Sequence, residues 1–297
     1  MNMQTRLKKI FCLRYPMSHN HLCCPTDRQA VEGVMPDLDG KTVSISFENA
    51  EPINCYVTGS SRNWLVIIYD IFGMHPNKYE MADWLAKHKG LSVAIPDIRR
   101  GKNWPKNMYP PPTPESKEAF YKYLEGDANL KLRALDTIHC ISYLRKTFDV
   151  GSISILGLCW GAKVAALIDS NGGSVSCIIG AHPSFLKSED GENATVPILM
   201  LPCAEDNLTV YCAGILRNKN SSLFSISENY FGTFHGFLGA RGQWTLPNEK
   251  LFVDKAKEEI SNFIFKHVSG AKQASCCGKS TRCAGLPPIP KEQECPN

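Results

Sequence analysis

NWLVIIYD (63–70) is continuously apolar and β-branched. A strand with one wet face alternates apolar and polar residues, so an uninterrupted run predicts a strand covered on both faces. LSVAIPD (91–97) is the next such strand, and SISIL (152–156), VSCIIGA (175–181), VPILMLP (196–202) and LFSISENYF (223–231) follow. Between the first two, NKYEMADWLAKHKG sets Tyr79, Met81, Ala82, Leu85 and Ala86 mostly on one helical face, with Gly90 placed to end the helix. Further helices are expected over about 128–148 and from roughly Glu249 to Val268. TVSISF (42–47) and INCYVT (53–58) alternate and predict a hairpin. Strands interleaved with helices imply parallel pairing, hence an α/β fold with helices on both faces of a mostly parallel sheet.

The rhythm breaks between Arg99 and Gly126, where NWPKNMYPPPTPE carries five prolines. Prolines in that density predict an irregular segment, and α/β enzymes place pocket walls in long insertions after a strand. The domain is expected to run over 27–268. Residues 1–26 read as a flexible arm, and 269–297, Gly/Ser/Pro-rich and dotted with cysteines, read as a disordered tail.

Composition narrows the function classes. A net charge of +4 spread over 297 residues, with acids among the bases, gives no case for a nucleic-acid groove. No apolar run approaches the ~20 residues of a membrane span. There are 13 cysteines, but no C-x-x-C pair, so zinc-type spacing is missing and no metal or cofactor is expected. Cys55, Cys140, Cys177, Cys203 and Cys212 fall singly in apolar surroundings and read as small buried hydrophobes. His19, His21, Cys23 and Cys24 are read as part of the arm, not as ligands. A reduced, cytoplasmic setting is expected. The acid-free, basic RLKKIFCLRY near the start suggests a mitochondrial presequence as the alternative.

The sharpest signal is ILGLCWGAKVAALI (155–168), in which Cys159 stands between Gly157 and Gly161 where a strand gives way to a helix. Gly-x-nucleophile-x-Gly in that context is a nucleophile elbow. The electropositive helix start favours a thiolate there. Such a nucleophile needs an acid and then a histidine further along the chain. LMLPCAEDNLT ends a strand with Glu205 and Asp206, of which Asp206 sits deeper in the loop and is preferred. YFGTFHGF places His235 after the next strand. Only His182 and His267 compete; His267 lies in the last helix and His182 precedes every suitable acid. Oxyanion donors are expected from the backbone of Trp160 and from Ile71 or Phe72 in YDIFGMHPN. Asp70 ends an apolar strand at the same edge, either as a loop cap or as a group that controls the thiol.

Together, IIYDIFGMHPNKYEMADWLA, VAIPDIRRG, ILGLCWGA, GAHPSF, PCAEDN and FHGF resemble the dienelactone hydrolase family, carboxymethylenebutenolidase-like, over roughly residues 20–268. The resemblance implies a single-domain α/β-hydrolase fold without a large cap, a Cys159–Asp206–His235 triad, and backbone donors at Ile71 and Trp160. It puts Asp70 where bacterial members carry a glutamate that holds the resting nucleophile; the acid here is shorter. His182 also matches a family position, with a structural hydrogen bond as its expected role. Bacterial members grip a substrate carboxylate with arginines. Arg99, Arg100 and Arg241 stand near those places at other offsets, either as a clamp or facing solvent. The expected protein is thus a monomeric or dimeric hydrolase that opens lactones or activated esters through an acyl-enzyme. The rival is a non-catalytic thiol sensor or binding protein on the same fold.

Overall fold

In the computed structural model, residues 28–47, 50–172 and 174–268 are described. The expected arm and tail, and the residues singled out within them, lie outside this range. Eight strands form one sheet in the order β1-β2-β4-β3-β5-β6-β7-β8. β1 (Lys41–Ile45), β2 (Ile53–Thr58) and β4 (Ser92–Pro96) pair antiparallel, β1 with β2 and β2 with β4. β3 (Asn63–Ile68), β5 (Ser152–Leu158), β6 (Cys177–Ala181), β7 (Ile198–Leu201) and β8 (Phe224–Ile226) continue in parallel from β4. Every residue of β4, β6 and β7 is buried, as the apolar runs require. The chain is therefore an α/β-hydrolase fold.

Strand order reverses at β3, which has β4 on one side and β5 on the other. Loops leaving the carboxyl ends of strands beside such a reversal open a crevice. The helices are α1 (Pro76–Lys89), α2 (Pro114–Glu125), α3 (Leu130–Thr147), α4 (Trp160–Ser170), α5 (Ser188–Glu192), α6 (Thr209–Arg217) and α7 (Pro247–His267). Among the described residues no helix is long and apolar enough to cross a membrane.

Two expectations are corrected. The segment 99–126 is not irregular throughout, because α2 begins at its last proline. Pro114 occupies the first helical turn, where its missing N–H costs nothing, and Thr113 Oγ1 accepts the Ser116 N–H at 3.2 Å. The last strand stops at Ile226 instead of Phe231. After it the Ser227 hydroxyl takes the Asn229 N–H at 3.4 Å, and this local turn displaces further ladder pairing.

Candidate active site

β5 ends at Leu158, α4 starts at Trp160, and Cys159 alone makes the turn with φ 55° and ψ −114°. That conformation costs a non-glycine residue about 1–3 kcal/mol and holds only where packing dictates it. The flanking glycines explain how. A Cβ on Gly161 would lie 2.3 Å from the Ile68 carbonyl oxygen, and one on Gly157 would lie 2.4 Å from that of Gly161. Strand β3, strand β5 and helix α4 therefore meet backbone to backbone under the cysteine.

The imidazole approaches from the loop after β8. His235 Nδ1 lies 2.5 Å from Asp206 Oδ1, and both residues are buried. Asp206 Oδ2 in turn accepts the Cys203 N–H at 2.8 Å, which fixes the carboxylate plane. Glu205, the alternative acid, is exposed and accepts the backbone N–H of His235 at 3.0 Å instead. On the other side of the ring, Ser184 Oγ stands 3.5 Å from His235 Nε2 and 3.5 Å from Cys159 Sγ. One hydroxyl thus spans thiol and imidazole. Ser184 lies in GAHPSF, and its one signal in the sequence is its place in the loop three residues after the end of β6. His182 packs its ring 5.1 Å from that of His235, edge to face.

A second thiol lies nearby. Cys203, Asp206 and His235 bring ligand-type atoms within 4.8 Å of one another. Burial first and the Asp206 charge second hold the Cys203 thiol far above the ordinary range, so in the metal-free site it stays protonated and is no competing nucleophile. Burial likewise pushes the Cys177 thiol up to about 11 and the Cys212 thiol up to about 12.

Asp70 caps its own loop. Its Oδ1 accepts the Phe72 N–H at 3.0 Å, and its Oδ2 accepts the Ala240 N–H at 3.0 Å. Committing Phe72 in this way leaves Ile71 as the loop's candidate oxyanion donor. Asp70 Oδ1 also pairs with the ammonium of Lys78 at 3.2 Å, both side chains being buried. Burial pushes the Asp70 carboxyl up, but Lys78 and the Ala240 amide outweigh it and the pKa falls below the usual range. Burial lowers Lys78 despite the pull of Asp70 and, more weakly, of Cys159. Lys78 escaped the sequence reading. Its signal was a lysine sharing a helical face with Met81, Ala82 and Leu85.

The three arginines part company. Arg99 is buried, its guanidinium 4.6 Å from the Tyr69 ring and 4.9 Å from that of Trp160. Its Nη2 donates to the Asp70 carbonyl at 2.7 Å, while Nε and Nη1 are buried with no acceptor among the described residues. Arg241 is buried too, 5.2 Å from the rings of Phe72 and Tyr109. Its turn is pinned by Asn77 Nδ2, which donates to the Gly239 and Gly242 carbonyls at 2.9 and 2.8 Å. Arg100 is turned elsewhere, to the Glu51 carbonyl at 2.8 Å and the Asp136 carboxylate at 3.2 Å.

The family profile of dienelactone hydrolases matches residues 53–264, most of the chain. The chain belongs to the dienelactone hydrolase family. An uncharacterised AIM2 family protein of Schizosaccharomyces pombe is 30% identical over 252 residues, covering 82% of this chain and 97% of the relative. The carboxymethylenebutenolidase homolog of Mus musculus is 24% identical over 228 residues, covering 73% and 89%. Among solved structures, a dienelactone hydrolase-like promiscuous phosphotriesterase from metagenomic libraries superposes with a TM-score of 0.60 at 15% identity, covering 77% of this chain and 98% of that one. The last likeness bears on fold alone. Membership makes this dienelactone hydrolase-family chain a hydrolase of small molecules, and its crevice holds a buried thiol, imidazole and carboxylate in a row.

Proposed function

We propose that this protein hydrolyses lactone or activated ester bonds through a thioester formed on Cys159. The observation that carries the reading is the left-handed Cys159 turn, with one hydroxyl between its sulfur and an imidazole already paired to a carboxylate. A protein that merely sensed oxidants through Cys159 would need no Asp206–His235 pair at 2.5 Å.

In the proposed cycle His235 Nε2 takes the Cys159 proton, directly or through Ser184, while Asp206 holds the Nδ1 proton in place. The thiolate attacks the carbonyl carbon, and the oxyanion is met by the backbone N–H groups of Trp160 and Ile71. Losing one such donor typically costs ~10²–10³ in rate. The C–O bond breaks, the alkoxide takes the proton from His235, and an acyl-Cys159 thioester remains. Water then gives His235 a proton and attacks the thioester. Collapse of that intermediate releases the acid and returns the thiol. Thiolate is a good leaving group from such intermediates, which favours lactones and activated esters over amides.

The substrate side is read from Arg99. A buried guanidinium edge with two unsatisfied nitrogens is costly until an anionic acceptor meets it. The proposed substrate therefore carries a carboxylate, with Arg241 as the second positive wall. Cys159→Ala is the test. It is expected to cut aryl ester turnover by about 10⁴-fold with the fold retained by circular dichroism. Undiminished turnover in that variant rejects the proposal.

A further inference from the structure

The side of His235 that faces away from Cys159 has its own chemistry. Cys203, Asp206 and His235 present a sulfur, a carboxylate oxygen and a ring nitrogen within 4.8 Å of one another, and all three residues are buried. These are the ligand types that zinc takes in combination. Two of them are set by one turn, because Asp206 N–H bonds to the Cys203 carbonyl at 3.3 Å and Cys203 N–H bonds to Asp206 Oδ2 at 2.8 Å. His235 arrives from the neighbouring loop.

We propose that Cys203, Asp206 and His235 form a binding site for a thiophilic divalent cation such as Zn²⁺, and that its occupation switches the hydrolase off. Tetrahedral zinc holds ligands at about 2.0–2.3 Å, hence about 3.3–3.8 Å from one another. His235 Nδ1 and Asp206 Oδ1, now 2.5 Å apart, need to part by about an ångström, and the sulfur needs to close by a similar amount. A thiolate and a carboxylate neutralise the dication, so the buried cluster carries no net charge. The Cys203 amide stays on Asp206 Oδ2 as an outer support.

Inhibition follows from proton placement. A neutral imidazole carries one N–H, and a metal on Nδ1 forces that proton onto Nε2. Nε2 is the nitrogen 3.5 Å from Ser184 and, through it, next to Cys159. Once protonated there, the ring cannot accept the thiol proton. The Cys203 thiol proton leaves to solvent as the metal–sulfur bond forms. The inhibitory half rests on the proposed role of His235; the binding half does not.

The test uses the full chain with Cys12, Cys23, Cys24, Cys276, Cys277, Cys283 and Cys295 replaced by serine, to remove thiols outside the described residues. In that background Co²⁺ is titrated into the Cys159→Ala variant. The expected result is one equivalent of thiolate-to-cobalt charge-transfer absorption, displaced by Zn²⁺ and missing when Cys203→Ser is added. Cys203→Ala, which keeps both backbone bonds to Asp206, serves if the serine variant fails to fold. With Cys159 intact, saturating Zn²⁺ is expected to lower aryl ester turnover at least tenfold, reversibly by chelator, and Cys203→Ser is expected to lose that ratio. Absorption that survives loss of Cys203, or that never develops in Cys159→Ala, overturns the site. Absorption without inhibition of an active enzyme overturns the switch. A cobalt signal in a chain that turns over no ester would leave the metal site standing and remove the hydrolase reading instead.

Discussion

Cys159 and Arg100 share an unusual backbone. Both follow a parallel strand, both are non-glycine residues with positive φ, and the angles are 55° and 54°. What differs is the packing around them. Beneath Cys159, Gly157 and Gly161 touch backbone where no Cβ fits. Beside Arg100, Gly101 has φ 76° and open space at its Cβ position. Arg100 then spends its side chain on Glu51 and Asp136, whereas Cys159 aims at Ser184. The same φ serves a loop exit in one place and, in the other, presents the thiol proposed as nucleophile. Strain alone does not mark a site; strain enforced from three elements does.

That contrast breaks or survives on paired substitutions. Gly161→Ala is expected to lower unfolding free energy by about 3 kcal/mol or more, since a backbone oxygen must move. Gly101→Ala is expected to cost about 1 kcal/mol, the price of φ alone. Equal losses in chemical denaturation would erase the distinction between the two turns. The neighbouring arginines sharpen it next. Arg99→Met is expected to reduce kcat/KM for carboxylate-bearing esters by about 10–100-fold relative to neutral ones, as loss of a charged hydrogen bond predicts. Arg100→Met is expected to leave that ratio within about twofold. Measuring the ratio cancels any general loss of active protein.

The smallest effect concerns the loop that caps Asp70. His75 is buried; its Nε2–H donates to the Val31 carbonyl at 2.8 Å, and its Nδ1 accepts the Asn77 N–H at 3.2 Å. Burial first, and the Lys78 charge second, lower its pKa from 6.5 to about 4. Above pH 6.5 the ring is neutral in both folded and unfolded chains and contributes no pH dependence. As pH falls from 6.5 toward 4 the unfolded chain alone takes the proton, so stability declines. His75→Asn, which keeps an acceptor for the helix start, is expected to flatten that decline by about 1–2 kcal/mol in denaturation at pH 7 and pH 4.5. An unchanged slope would place the sensitivity elsewhere.

Much of this was legible in the chain itself. Buried runs such as VPILMLP gave parallel strands, and a cysteine framed by glycines at a strand–helix junction gave the elbow. Asp206 and His235 were legible because each lies in the loop that follows a strand on the same sheet edge. Lys78 and Ser184 were not: the fold of the loop after β3 brings Asp70 to Lys78 inside the core, and Ser184 meets His235 from a loop 51 residues away in sequence. Arg99 and Arg100 adjoin in sequence, and only the turn between them decides which is buried. The helix at Pro114 hid behind a count of prolines, whose last member starts a helix as readily as others prevent one.

Acyl trapping puts the central claim to the test most directly. The full chain is mixed with an activated aryl ester, quenched in acid within one turnover, digested and weighed by mass spectrometry. The account predicts the acyl mass on the peptide that holds Cys159, in amounts matching the burst of released alcohol. Acyl groups found on Cys203 or Ser184, or full turnover with none on Cys159, would contradict it.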